Sequence, residues 1–471
     1  MAQIWDVVVI GGGPGGYVAA LQAARHGLAT ALVEKAELGG VCLNWGCIPT
    51  KALLRSAEVL RLAQSGAAFG VRIAQAEPDL PAMIARSRAI AGQLAEGIRF
   101  LLRKSRVTVV QGTGRLAGAG RVVVEKPADA GDAEVLTTRA VILATGARPR
   151  VLPGLEPDGQ RIWTSRDALA ATRIPTSLLV VGSGAIGLEF ASFFQTLGSA
   201  VTVVEVQEQI LPLEDAEIAA LAVAHWRRQG MTLYPGTTVR DLTTTEDGVR
   251  VRLQGPEGER SVVFAQVLVA AGITANRENL GLETTRVRVE GGHVVTDPWN
   301  ATDEPGVWAI GDLAGPPWLA HKASHEAVLC VEALVARRQG TPPPPPWDRR
   351  RTPSCIYTWP QIASLGLREE AARAAGQPVR VGRFPFRANG KALAQGEAEG
   401  LVKVLFAAES GAVLGVHMIG PDVAELIPAL ALAQTLEATE AEFAATVFPH
   451  PTLSEAIPEA VLAAWGAARH I

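Results

Sequence analysis

Two segments of this chain carry the same glycine spacing. After the apolar run Val7 to Ile10 come Gly11, Gly13 and Gly16, a helix-forming stretch closed by Gly27, and then Ala31-Leu32-Val33-Glu34. After Leu178 to Val181 come Gly182, Gly184 and Gly187, a stretch closed by Gly198, and then Val201-Thr202-Val203-Val204-Glu205. In both copies the later glycines lie 2, 5 and 16 positions after the first, and the acid lies 23 after it. Each copy reads as a strand, a tight turn, a helix and a second strand ending in an acid, the dinucleotide-binding fingerprint. The glycines let backbone N–H groups and the helix N-terminus approach a pyrophosphate, and the acid accepts from a ribose hydroxyl. A lone glycine pattern is as often only a turn. Two copies in step, each with its acid, specify an α/β chain with two Rossmann-like domains.

At 471 residues the chain has room for roughly three domains. Its 48% hydrophobic and 19% charged residues suit packed globular domains, and a formal charge of −3 gives no reason to expect a nucleic-acid partner. The N-terminus has no basic region and runs from Ile4 to Ile10 straight into glycines, so it reads as a strand and not a signal peptide. No apolar run approaches membrane-spanning length. Only four cysteines occur, and Cys330 and Cys355 are remote from each other and from the other two. That spacing argues against a secreted disulfide framework and against a four-cysteine metal site, leaving a reducing, cytoplasmic setting as the expectation.

The other two cysteines, in Cys42-Leu43-Asn44-Trp45-Gly46-Cys47, follow the first fingerprint closely and precede Ile48-Pro49-Thr50-Lys51. A regular helix would hold residues i and i+5 about 8 to 9 Å apart at Cα, beyond the roughly 7 Å that a disulfide spans. A bridge therefore needs a distorted turn. Gly46 lets the backbone bend, and Pro49 lacks the N–H that would bond to the Trp45 carbonyl. The segment reads as a redox disulfide beside a flavin; the alternative is two buried thiols. Since the pair follows the first copy, that copy is expected to hold FAD, the cofactor that exchanges electrons with sulfur. The second is expected to hold a nicotinamide. Glu205 would repel a 2′-phosphate, and Val206 to Leu211 contain no arginine to bind one, so NAD is favoured over NADP.

With these residues in view, Gly39 to Leu54 resembles the redox segment of the flavoprotein disulfide reductases, and most nearly that of the lipoamide dehydrogenases. The resemblance covers the whole chain. Val307-Trp308-Ala309-Ile310-Gly311-Asp312 is similar to that family's second flavin motif, in which the aspartate binds the ribityl chain, and Leu319-Ala320-His321-Lys322-Ala323 follows it. Ile356-Tyr357-Thr358, Phe384 to Ala392 and His450-Pro451-Thr452-Leu453-Ser454-Glu455 resemble its dimerisation domain. The resemblance implies oxidation of dihydrolipoyl groups on a lipoyl-bearing protein domain, with NAD as acceptor, by a homodimer. Cys42 would be the interchange thiol and Cys47 the thiol next to the flavin. His450 would be the base, oriented by Glu455 and supplied by the partner subunit, while Lys51 and Glu189 would pair near the flavin. Gly114, Thr145, Gly146 and Ala320 would add FAD contacts, and Gly272 a contact on the nicotinamide side.

The layout expected is a flavin domain over 1–150, a nicotinamide domain over 151–273, a flavin-side return with a proline linker over 274–346, and a C-terminal α+β dimerisation domain over 347–471. Two departures stand out. Phe448-Pro449-His450 keeps only one of the two histidines that the family often carries, and Ile273-Thr274-Ala275-Asn276 replaces a more usual Arg-x-Pro-Asn. Neither removes a group that the mechanism needs. Mercuric reductase fits less well because the tail lacks paired cysteines, and glutathione reductase because no phosphate-binding arginine stands near Glu205. A reading of another class is a cofactor-bearing structural subunit in which turnover is incidental; a Cys47→Ser variant separates it from an enzyme.

Overall fold

The structure, a computed structural model, describes residues 3–118, 120–126 and 131–471. The chain forms two compact units, one from Met1–Ala52, Pro81–Arg150 and Ile273–Arg349, the other from Leu53–Leu80, Val151–Gly272 and Arg350–Ile471.

The first unit is built on a five-stranded parallel sheet in the order Val307–Ala309, Val141–Leu143, Val7–Ile10, Thr30–Glu34, Thr108–Gln111. Every residue of Val7–Ile10 is buried: Val7 and Val9 pack with helix residues such as Ala19, Ala20 and Leu102, and Val8 and Ile10 with Val122, Val124 and Leu136 of a smaller sheet, so both faces are covered. That explains why the run is uniformly apolar and not alternating. Helix α1 (Pro14–Arg25) leaves the glycine turn with Pro14 in its first turn, and Gly27 takes a φ of +74° just past its end. Two short-linked helices follow, α2 (Gly40–Trp45) and α3 (Cys47–Gln64), and then the 25-residue α4 (Leu80–Lys104). Leu80, Ala91, Ile98 and Leu102 form the buried stripe of α4.

The second unit repeats the plan. Its five parallel strands run Ile162–Trp163, Gln266–Val269, Ser177–Val181, Ala200–Val204, Thr232–Tyr234, with α5 (Ala185–Thr196) after the second glycine turn. Helix α5 is buried over eight consecutive residues, Gly187 to Phe194, which accounts for its run of phenylalanines. The same unit carries a five-stranded antiparallel sheet in the order Ser354–Ile356, Gln361–Gly366, Val413–Gly420, Leu401–Ala407, Val379–Pro385, backed by helices. Lys403 of that sheet is fully buried, and its ammonium lies 2.8 Å from Asp215, 3.0 Å from Glu217 and 2.8 Å from Glu369. A buried lysine is tolerable only with such partners, and here three carboxylates from two other segments converge on it.

In the proline run expected as a linker, the Pro344 carbonyl accepts the Trp299 indole N–H at 2.8 Å.

Candidate active site

Each glycine turn follows the carboxyl end of a central strand, where open α/β sheets bind nucleotides. A Cβ on Gly16 would stand 1.7 Å from the Gly11 carbonyl oxygen, and one on Gly187 2.2 Å from that of Gly182. Only glycine lets helix and turn approach so closely. Gly13 and Gly184 are the N-cap residues of α1 and α5, and neither helix has a side-chain cap. Their first N–H groups are left for an anion, as a bound pyrophosphate requires.

The acids are fastened in matching fashion. Glu34 accepts the N–H of Gly12 at 2.6 Å and that of Ala36 at 2.7 Å. Glu205 accepts the N–H of Ser183 at 2.9 Å and that of Gln207 at 3.0 Å, with the Ser183 hydroxyl as a further donor at 2.8 Å. In both copies the donors are the residue after the first glycine and the residue two beyond the acid. The residues present fit two dinucleotides.

Between them in sequence lies the redox segment. Cys42 and Cys47 are joined as a disulfide with their Cα atoms 4.7 Å apart, and both are half-buried. The distortion expected from the sequence occurs at Gly46, whose φ of −151° and ψ of −115° separate α2 from α3. Had the helix run on unbroken, the two Cα atoms would be several Å further apart. Asn44 donates from its amide to the carbonyls of Leu38 and Gly40 at 3.0 Å each, and Thr50 donates from its hydroxyl to that of Gly46 at 2.7 Å. Lys51 follows on α3.

The second flavin motif forms a short turn, Gly311–Ala314. Burial pushes the Asp312 carboxyl above the ordinary range, against the pull of Lys322. Among the described residues no hydrogen bond reaches that carboxylate, so it is available to a hydroxyl. Ala320 opens the helix Ala320–Gln339. Lys322, absent from the residues singled out as functional, donates to the Gly311 and Gly315 carbonyls at 2.8 Å each and pairs with Glu326 at 3.1 Å; Glu326 in turn accepts the Gly311 N–H at 2.8 Å. The pair fixes the turn that carries Asp312. Asn276 was likewise missed. It takes the Thr145 hydroxyl on its carbonyl at 2.7 Å, donates its amide to the Thr145 carbonyl at 2.9 Å and its N–H to Gly146 at 2.9 Å. The departure Ile273 to Asn276 therefore keeps the residue that holds this turn.

Gly114 has a reason besides a ligand: a Cβ there would crowd Ile10 and Val33 at 3.1 and 3.2 Å. Gly146 and Gly272 have positive φ, +68° and +98°, with open space about them.

In the other unit, Glu189 is buried on α5 and accepts the Tyr357 N–H at 3.0 Å. Lys51 and Glu189 lie in different units, as do the cysteines and His450. His450 is 78% exposed, and its Nδ1 lies 2.9 Å from Glu455. Burial works against ionisation of Glu455, yet the Thr452 N–H and His450 hold its carboxyl below the ordinary range. A carboxylate on Nδ1 leaves Nε2 free to take up a proton.

Residues 5–327 match the model of the pyridine nucleotide-disulphide oxidoreductases, and 352–461 that of the same family's dimerisation domain. The chain belongs to the pyridine nucleotide-disulphide oxidoreductases. Members of this family use FAD and NAD, the two ligands for which the glycine turns are shaped. Among its relatives, the dihydrolipoyl dehydrogenase of Zymomonas mobilis is 47% identical over 100% of both chains, and that of Rhizobium etli 46% identical over 99% of both. LpdA of Mycobacterium tuberculosis superposes with a TM-score of 0.89 at 30% identity, over 97% of this chain and 99% of that one. As a pyridine nucleotide-disulphide oxidoreductase the chain carries a dimerisation domain, and among the described residues no helix is long and apolar enough to cross a membrane.

Proposed function

We propose that this protein is a dihydrolipoyl dehydrogenase, oxidising dihydrolipoyl groups on a lipoyl-bearing protein domain with NAD⁺ as acceptor. The observation that carries this reading is the half-buried Cys42–Cys47 disulfide next to the first nucleotide turn. The full-length likeness to dihydrolipoyl dehydrogenases supports it.

A thiolate of the dihydrolipoyl group attacks Cys42, and the Cys42–Cys47 bond breaks with Cys47 leaving as thiolate. His450 of the partner subunit takes the proton of the second substrate thiol, whose sulfur displaces Cys42 and closes the lipoyl disulfide. The substrate is oxidised by two electrons and the cysteine pair reduced by two. Glu455 keeps the resulting imidazolium paired. FAD, when bound, supplies the relay of that electron pair from the dithiol to NAD⁺. Gly11, Gly13, Gly16, Glu34 and Asp312 hold it, with Gly114, Thr145, Gly146 and Ala320 around it and Lys51 with Glu189 serving its ring. Gly182, Gly184, Gly187, Glu205 and Gly272 hold NAD. The exposure of His450, in a segment matched by the dimerisation domain, supports a cross-subunit role.

In this reading 1–150 with 274–346 serve FAD, 151–273 serve NAD and 347–471 pair the subunits, in the cytoplasm. The lipoyl carrier is the acyltransferase core of a 2-oxo acid dehydrogenase complex or the carrier of a glycine-cleavage system.

The test is NAD⁺ reduction by dihydrolipoamide, with NADP⁺, glutathione and Cys47→Ser as controls. Turnover specific to NAD⁺ and lost in Cys47→Ser supports the reading. Flavin reduction by NADH without dihydrolipoamide turnover would remove the substrate assignment and leave the cofactors.

A further inference from the structure

Three consecutive side chains of α4 each hold a carbonyl of the redox segment. Arg86 donates to the Ala52 carbonyl at 3.0 Å, the Ser87 hydroxyl to the Pro49 carbonyl at 3.2 Å, and Arg88 to the Asn44 carbonyl. The Arg88 guanidinium also lies 4.0 Å from the centre of the Trp45 ring, and the Trp45 indole donates to Glu37 at 2.7 Å. Asn44 and Trp45 are the last residues of α2, so Arg88 brings a cation to that helix's carbonyl end. Ser87 is fully buried within the otherwise apolar stripe of α4, where a hydroxyl is costly unless bonded. All of these residues belong to the first unit.

We propose that Arg86, Ser87 and Arg88 are positioning residues of the redox pair, holding the segment from Asn44 to Ala52 so that the two sulfurs stay opposed once the disulfide has opened. The proposal rests on the reading above in one respect, that Cys42 and Cys47 cycle between disulfide and dithiol. In the disulfide state the covalent bond itself holds the loop, so the clamp changes little. In the dithiol state only the clamp and its neighbours keep the cysteines together, and its loss lets them separate. The effective concentration of one thiol at the other then falls, and the equilibrium moves toward dithiol.

The experiment equilibrates the FAD-loaded protein with mixtures of reduced and oxidised glutathione. Two glutathiones per protein disulfide yield one protein dithiol and one glutathione disulfide. The mixture is quenched in acid and alkylated, and the protein thiols are counted by mass. Arg88→Met is expected to shift the equilibrium about tenfold toward dithiol, a rise of about 30 mV. Ser87→Ala should shift it less in the same direction, and Arg88→Lys should lie between Arg88→Met and wild type. FAD content, read from the visible spectrum, should stay constant. Variants that hold FAD but equilibrate within twofold of wild type would overturn the proposal; should Arg88→Met not fold, Ser87→Ala and Arg88→Lys decide it. A wild-type disulfide that opens in glutathione and shifts with the clamp, in a protein inactive on dihydrolipoamide, supports the proposal while removing the substrate reading. A disulfide that neither glutathione nor dihydrolipoamide opens at any ratio removes both.

Discussion

His450 and Glu455 form a closed pair in which each end is accounted for: Nδ1 meets one carboxylate oxygen at 2.9 Å, and the other oxygen accepts the Thr452 N–H at 2.8 Å. The imidazole is thereby aimed by a group that is itself tied to the backbone. His450→Gln should lower dihydrolipoamide turnover by about 10²- to 10⁴-fold while flavin reduction by NADH persists. Stopped-flow traces of the two half-reactions check both limbs.

Mixing two inactive chains tests whether the site is shared. Cys47→Ser and His450→Gln chains, unfolded and refolded together, should regain roughly a quarter of wild-type turnover, because half of the dimers are mixed and each then has one complete site. A single-chain site would regain none.

The two glycine turns can be silenced separately. Gly187→Ala forces a Cβ to within 2.2 Å of a backbone oxygen, so α5 must move away from its turn. NADH affinity should fall at least about tenfold with FAD retained. Gly16→Ala, at 1.7 Å, should instead yield protein lacking its yellow colour. Equilibrium binding and the visible spectrum distinguish the two.

Lys403 is the joint of the second unit. Lys403→Met would leave Asp215 buried without its cation and should cost about 3–5 kcal/mol in denaturant unfolding. The pH dependence should become shallower. Burial pushes the Glu369 carboxyl up, but bonds from Lys403 and Arg373 outweigh it and hold it at about 2, against an ordinary 4.5. A depressed carboxyl adds stability that is complete above its unfolded value and is lost as pH falls from 4.5 toward 2. Wild type should therefore weaken over that window, and the variant, relieved of unpaired charge as its carboxylates protonate, should weaken less.

The sequence disclosed the parts whose signals are local. Gly11 and Gly182 are readable because strand, turn and helix lie within about thirty residues of each other. Gly46 and Pro49 are readable because a disulfide has a fixed reach. The clamp on the redox segment was not readable, since Ser87 bonds to a residue 38 positions away; its one local trace is a serine in the stripe of Leu80, Ala91, Ile98 and Leu102. Lys322 and Glu326 stand at a helical pairing distance that the sequence displays, yet the bonds from Lys322 to the Gly311 and Gly315 carbonyls leave no mark in the side-chain sequence. Asn276 appeared as part of a departure, and only its three bonds to the turn at Thr145 and Gly146 reveal what it preserves. The grouping of residues 53–80 with the second unit followed from no composition shift.

The twin fastening of Glu34 and Glu205 bears on how a nucleotide is chosen. A carboxylate on a free side chain must surrender rotational freedom when a ribose arrives, and that loss is subtracted from affinity. Here the backbone of each turn has already immobilised the acid during folding. An incoming hydroxyl meets a preorganised acceptor, whereas a 2′-phosphate meets a negative charge that cannot swing aside. On the proposed reading, discrimination between the two nicotinamide nucleotides would draw on the rigidity of Glu205 together with the lack of an arginine in Val206 to Leu211.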